Sequence, residues 1–152
     1  MHKIHPIASS QPPYSLLRRD AEAGLLQFCK AQNIGVVAYG PMQEGLLTGT
    51  FTKERVAALP KDDFRRNNAQ FTDPKLSANL AIVEQLKRIA AREKLTCPQL
   101  AIAWVLRRPE VTSAIVGARR PAQIEETVKA AGAVLSPPVL QEIEKLLTGP
   151  GR

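Results

Sequence analysis

Two short β-branched runs, and amphipathic segments that alternate with them, predict an α/β fold with parallel strands. The runs are Ile34–Tyr39 and Val111–Val116. Each is too short for a helix and lacks polar alternation, the pattern of a parallel strand covered on both faces. Apolar stripes at helical spacing separate and follow them, so right-handed helical crossovers join the strands. At 152 residues, 44% of them hydrophobic, the chain is long enough for one core but short for two, and a single unit over 1–152 is expected.

The elements follow from proline, glycine and capping residues. His5–Gln11 reads as a first strand, stopped by Pro12 and Pro13. Asp20 reads as the N-cap of a helix that places Ala21, Leu25, Leu26, Phe28 and Cys29 on one side and ends at Asn33, a residue tolerant of left-handed backbone. The strand Ile34–Tyr39 comes next. From Gly40 to Asp73 no periodic pattern holds, so this stretch is expected to be a long loop, and loops of that length commonly carry function. Asp73-Pro74 then opens a long helix with a stripe of Leu76, Leu80, Val83, Leu86 and Ala90, ending near Lys94. Thr96-Cys97-Pro98-Gln99 has capping-box spacing and starts another helix, which offers Leu100, Ala103, Trp104 and Leu106 to the core before Pro109. After Val111–Val116, a helix runs from Pro121 to about Ala131 and is closed by Gly132. Ser136-Pro137-Pro138 opens the last helix, with Val139, Leu140, Ile143, Leu146 and Leu147 as its apolar face, and Thr148–Arg152 is expected to fray.

Composition narrows the function classes. No apolar run approaches the ~18 residues of a membrane span, and the first ten residues lack a signal-peptide core, so a cytoplasmic location is the expectation. Two cysteines, Cys29 and Cys97, without a CxxC pair, fit a reducing compartment and read as small buried hydrophobes. Lys and Arg outnumber Asp and Glu by 21 to 14, a surplus suited to a phosphorylated ligand or an acidic surface. Nucleic acid ranks last, because no interleaved aromatics or recognition helix accompany the charge. His2 and His5 form an HxxH pair without further ligands at metal spacing, so no metal site is assigned.

In parallel α/β architectures the ligand sits at the carboxyl ends of the strands. There, Gly117 permits close backbone approach, the following helix offers N–H groups, and Arg119 and Arg120 add cations, a combination that suits a phosphate. The same pattern fits a strand-to-helix turn with solvated arginines. Gln123 and Glu126, one helical turn apart, are placed to hydrogen-bond a base or ribose. Tyr39 ends its strand at the same rim, where a phenol ring can stack on a heterocycle or simply be a rim aromatic. Gln11 can pair with an amide, although spacing alone reads it as a surface glutamine. Gly40, Gly45 and Gly49 give the long loop the freedom to wrap a ligand.

Three ordered motifs, Gln11-Pro12-Pro13-Tyr14-Ser15-Leu16-Leu17-Arg18-Arg19, Gly35–Met42 continuing through Gly45–Gly49, and Ile115–Gln123, resemble the aldo-keto reductases from about His5 to Leu147. The resemblance is to the C-terminal part of that family's (β/α)8 barrel. It implies a partial TIM barrel of about three parallel strands and an oxidoreductase that reduces aldehydes and ketones with NADPH by hydride transfer. By motif, Gln11 matches the residue that holds the nicotinamide carboxamide and Tyr39 the ring that stacks on it. Gly40, Pro41, Met42, Glu44, Gly45 and Leu46 match the belt over the pyrophosphate, with Arg65 a cation there. Gly117, Arg119 and Arg120 match the 2′-phosphate and ribose site, and Gln123 and Glu126 lie beside the adenine. Gly40, Thr50 and Thr127 depart from the serine, lysine and asparagine usual at those positions. The family's catalytic aspartate, tyrosine, lysine and histidine match nothing here and are expected on earlier strands. No catalytic residue is assigned, and Tyr14 reads as a tyrosine packed beneath a helix. A complete barrel has eight strands, so three leave open edges, for which the expectation is self-association or a partner chain. The alternative to a reductase is a non-catalytic half-barrel used for assembly or regulation.

Overall fold

The computed structural model describes residues 4–149. Its centre is a three-stranded parallel sheet in the order β1 (Ser9–Ser10), β2 (Gly35–Tyr39), β3 (Val111–Ile115). β2 lies in the middle, paired with β1 through Ser9–Gly35 and Ser10–Val36 and with β3 from Val36–Val111 to Tyr39–Ile115. The helices are α1 (Leu25–Ala31), α2 (Lys53–Ala57), α3 (Lys75–Arg92), α4 (Cys97–Leu106), α5 (Pro121–Thr127) and α6 (Pro137–Thr148), with 3-10 turns between them. α1 packs on β2, α4 on β3, and α3 against both α4 and α6. This is the α/β partial barrel expected from the sequence.

Side-chain alternation divides the sheet sharply. Val36 and Ala38 are fully buried toward the helices, whereas Gly35 and Val37 are half-buried and Tyr39 is exposed on the opposite face. β3 is not the buried strand that its composition suggests. Thr112, Ser113 and Ile115 are exposed, because β3 is an edge strand of this three-stranded sheet.

Four other expectations are corrected. The first strand shrinks from His5–Gln11 to Ser9–Ser10, since Pro12 and Pro13 have no amide hydrogens and interrupt the ladder. Pairing resumes beyond them, where Tyr39 N donates to Pro12 O (3.1 Å) and Tyr14 N to Tyr39 O (3.1 Å). The first helix is split: Asp20–Glu22 is a 3-10 turn, and Gly24, at φ 125°, resets the phase before α1. Leu26 and Cys29 therefore face the core, while Leu25 and Phe28 turn to solvent. The stretch from Gly40 to Asp73 is not an open loop. Side chains of Thr52, Asp63 and Asn68 cap α2 and two 3-10 turns, and Phe51, Val56 and Phe71 are buried beneath them. The helix expected over Pro121–Ala131 ends at Thr127 and tightens to a 3-10 turn over Val128–Gly132.

The remaining signals hold. Asn33 is left-handed at φ 53°, and Thr96 and Gln99 form the reciprocal capping box that opens α4. Trp104 is core, with 1% of its surface exposed. Its ring meets Tyr14 at 5.3 Å and lies under the Arg107 guanidinium at 3.6 Å. Tyr14 Oη donates to Glu22 Oε1 (2.6 Å) and accepts from Arg107 Nη1 (3.0 Å), and Glu22 also accepts from Arg19 (2.6 Å). Arg19 continues to Glu144 on α6 at 2.8 Å. Of the His2–His5 pair, His2 lies outside the described residues, as do Pro150–Arg152 of the expected fraying tail.

Burial raises the Glu22 carboxyl, but hydrogen bonds from Tyr14 and Arg19 and the charge of Arg107 outweigh it and hold the group below its ordinary range. Glu22 therefore contributes stability above the ordinary glutamate pKa and loses it as pH falls through the lowered folded value. Urea denaturation across the acid range should show this loss in the native chain. Glu22→Gln should be less stable at neutral pH and lack that part of the pH dependence.

Candidate functional site

The carboxyl ends of the three strands form one rim. Pro13, Tyr39 and Ile115 lie side by side across the sheet, so Gln11, the Tyr39 ring and the Ile115–Arg120 turn share one end of the fold. Gln11 is exposed, and 43% of Tyr39 is open to solvent. Gly117 is exposed with open space where a side chain would stand. Arg119 follows Ile115 by four residues, a chain span of at most ~14 Å.

The segment after β2 is shaped by left-handed backbone. Gly40 (φ 65°) turns the chain out of the strand, and Gln43, Glu44 and Gly45 follow at φ 48°, 50° and 96°. Gln43 is buried, and its Oε1 accepts from Ser15 Oγ (2.7 Å), which ties this segment to the one following β1. Gln43 was not among the residues the motif singled out. Its partner is 28 positions away, so only the three-dimensional pairing identifies it. Pro41 and Leu46 are buried, Met42 and Gly45 half-buried, so Pro41 and Leu46 can present mainly backbone to a ligand.

Arg65 closes over this segment. Its Nη1 reaches Glu44 O at 3.5 Å, while Nε and Nη2 are held by Asp63 at 2.9 and 2.5 Å. The hydrogen bonds from Arg65 lower the Asp63 carboxyl to about 2, and the nearby charge of Arg119 adds to the effect. The same interaction places the long segment and the corner beyond β3 within electrostatic reach of each other.

At that corner the structure redistributes the expected roles. Arg119 N and Arg120 N both donate to Gln123 Oε1, at 2.8 and 3.2 Å. Gln123 thus caps α5, and these two N–H groups are not open donors. The guanidinium groups of Arg119 and Arg120 remain exposed and, among the described residues, form no ion pair. Glu126 is half-buried, with its carbonyl oxygen held by Gln99 Nε2 (2.9 Å), and Thr127 bonds back to Gln123 O (2.8 Å).

Neither cysteine nor the buried phenol behaves as a reactive group. Burial pushes the Cys97 thiol up to about 11, and Cys29 is buried as well. Burial and the hydrogen bond to Glu22 raise the Tyr14 phenol far above its ordinary value, so Tyr14 is part of the core, as the sequence suggested. No helix among the described residues is long and apolar enough to cross a membrane.

Comparison with known proteins agrees with this fold. The Aldo/keto reductase family matches residues 1–148. The chain is 36% identical over 126 residues to the NADH-specific methylglyoxal reductase of Escherichia coli, covering 83% of this chain and 37% of that protein. It is 30% identical over 145 residues to the aldo-keto reductase yakc [NADP(+)] of Schizosaccharomyces pombe, with coverages of 93% and 42%. Among solved structures, the glycerol dehydrogenase AKR11B4 from Gluconobacter oxydans matches with a TM-score of 0.88 and 31% identity, over 96% of this chain and 44% of that one. The chain thus spans less than half the length of these relatives.

Replacing Gln43 by alanine would leave the buried Ser15 hydroxyl without its acceptor. The expected cost is about 1–3 kcal/mol. Hydrogen exchange should quicken over residues 40–49 while the protection of α3 and α4 is retained.

Proposed function

Since this chain belongs to the aldo/keto reductase family, we propose that it forms the dinucleotide-binding side of an NADPH-dependent carbonyl reductase site. The observation that supports this most directly is the strand register. It sets the exposed Tyr39 ring between Gln11 and the Gly117–Arg120 turn, at one end of the sheet. The donor set suits a dinucleotide: an open aromatic ring, a guanidinium over the segment after β2, and two further guanidiniums without ion-pair partners among the described residues. Gln11 would hold the carboxamide and Tyr39 would stack on the nicotinamide. Gly40–Leu46 with Arg65 would border the pyrophosphate. Arg119 and Arg120 would take the 2′-phosphate through their side chains, with Gln123 fixing their backbone and Glu126 beside the adenine. When bound, NADPH supplies the hydride that reduces the carbonyl of a small aldehyde or ketone.

This reading gives the chain binding and orientation, and no proton donor. The Tyr14 hydroxyl is buried against Glu22 and Arg107 and has no route to a substrate at the rim. One cofactor-holding, partial-barrel unit is proposed over His5–Leu147.

A second observation favours an accompanying assembly role. The sheet's inward face is exposed at Ile115, and a groove beside β3 is lined by Ile102, Leu106, Ala114, Val116, Ile124 and Val128, with Thr112, Ser113 and Thr127 among them. Ile124 and Val128 are 58% and 63% exposed, an apolar pair at i,i+4 spacing on the side of α5. An edge strand flanked by such a groove is a template for pairing, and the reading is that another copy or a partner chain covers it.

Titration of NADPH, followed by its fluorescence, should saturate below millimolar concentration; no binding at that level would remove the cofactor reading. Arg119→Ala should weaken NADPH by about tenfold, the scale of one lost charge-assisted contact, and leave NADH nearly unchanged. Light scattering coupled to size-exclusion chromatography should show an assembly that the double variant Ile124→Asp, Val128→Asp dissociates. A native chain that is already a stable monomer would count against the assembly role.

A further inference from the structure

Glu44 lies in the segment that the proposed function places along the dinucleotide pyrophosphate, so this inference rests on that reading. It is the middle of three consecutive left-handed residues, a backbone state that a non-glycine residue keeps only where its surroundings hold it. Those surroundings are visible: Ser15 fixes Gln43 on one side, and Arg65 reaches the Glu44 carbonyl oxygen. The side chain is half-buried, and its Oε2 is closed off from solvent without a hydrogen-bond partner. An acid in this state is poorly served as an anion.

The charges around Glu44 come from three directions. Arg18, from the segment after β1, and Arg65, from the 3-10 turn at Phe64–Asn67, both favour its ionised form, yet burial prevails and raises the carboxyl above the ordinary glutamate range. Arg19, Asp20 and Lys75 line the same cleft. Arg19 is committed to Glu22 and Glu144, Asp20 lies 3.7 Å from Arg18, and Asp63 engages Arg65. A pyrophosphate brought to this segment would need the field of the same cations, Arg18 and Arg65, that offset the charge of Glu44. Two anions drawing on one pair of cations in a half-buried site oppose each other.

The geometry points to Glu44 as the residue that makes dinucleotide affinity proton-linked: the pyrophosphate is held with Glu44 neutral, and the ionised carboxylate discriminates against it. Binding above the pKa of free Glu44 then takes up a proton from solvent onto that carboxyl, and no other bond changes.

Calorimetry on the full chain tests this with NAD+ and NADP+ at a lower pH in the ordinary glutamate range and at a higher pH of about 8. NAD+ is included because it lacks the 2′-phosphate, whose own titration near pH 6 would add a slope. The native chain should bind both about tenfold more tightly at the lower pH, the effect of one unit of differential protonation. Glu44→Gln should bind equally at both and match the native affinity at the lower pH. Repeating the native titration at the higher pH in two buffers of different ionisation enthalpy reads proton uptake directly and does not depend on the variant folding. A slope unchanged in Glu44→Gln, or no proton uptake by the native chain, would overturn the inference while leaving the cofactor reading intact. Absence of binding by either dinucleotide to the native chain at both pH values would overturn the cofactor reading, and this inference with it.

Discussion

The Glu22 carboxylate is the point on which the rest of the structure depends. It accepts hydrogen bonds from Tyr14, Arg19 and Arg107, and so draws together the segment after β1, the 3-10 turn that follows it and the end of α4. Arg107 is held over Trp104 by the same arrangement, and Arg19 extends it to Glu144 on α6. Groups removed from water in this way are stable only when each has its partners, which makes the network cooperative. Its consequence reaches the rim. Tyr14 points its ring into the core while its N–H donates to Tyr39 O, and the next residue, Ser15, donates to Gln43. One short stretch of chain therefore clamps the helical layer on one side and positions both Tyr39 and the Gly40–Gly49 segment on the other.

Where the sequence was legible, the signal was local. β2 follows from Ile34–Tyr39, the start of α4 from the Thr96–Gln99 capping box, and the end of the preceding turn from Asn33. Each of these is decided by backbone preference within a few residues. What escaped reading depended on neighbours. β3 is apolar enough to look buried, but its burial is set by what lies beyond a sheet edge. Gly24 breaks the expected helix before Leu25, so α1 starts in its own phase, with Leu26 and Cys29 toward the core and Leu25 and Phe28 exposed. The Gly40–Asp73 stretch lacks periodicity because three short caps and a few buried aromatics organise it, in place of a long amphipathic stripe.

The candidate site shows the same division. Tyr39, Gly117, Arg119 and Arg120 could be singled out from strand ends, and the family resemblance added the segment between Gly40 and Arg65. The hydrogen bonds that organise them could not. Ser15 and Gln43 are 28 residues apart, and Tyr14 and Arg107 are 93 apart. Gln123 looked like a ligand for a base because its position on α5 is right. Its side-chain Oε1 also accepts from Arg119 N and Arg120 N, and so shapes the turn that carries both cations.

The alternation of the sheet separates two roles that a sequence motif merges. Ala38 and Ala114 form a pair on the helix-covered face, next to the groove between α4 and α5. Tyr39 and Ile115, one residue along, form a pair on the opposite, open face. The groove that carries Ile124 and Val128 therefore lies behind the sheet, whereas the rim that carries Tyr39 opens in front of it. Loss of contacts in the groove leaves Gln11, Tyr39 and Arg119 on elements still fixed by Tyr14, Ser15 and Gln123. The proposed cofactor corner and the proposed association groove nonetheless meet on α5, where Gln123 fixes the Arg119–Arg120 turn and the neighbouring Ile124 faces outward.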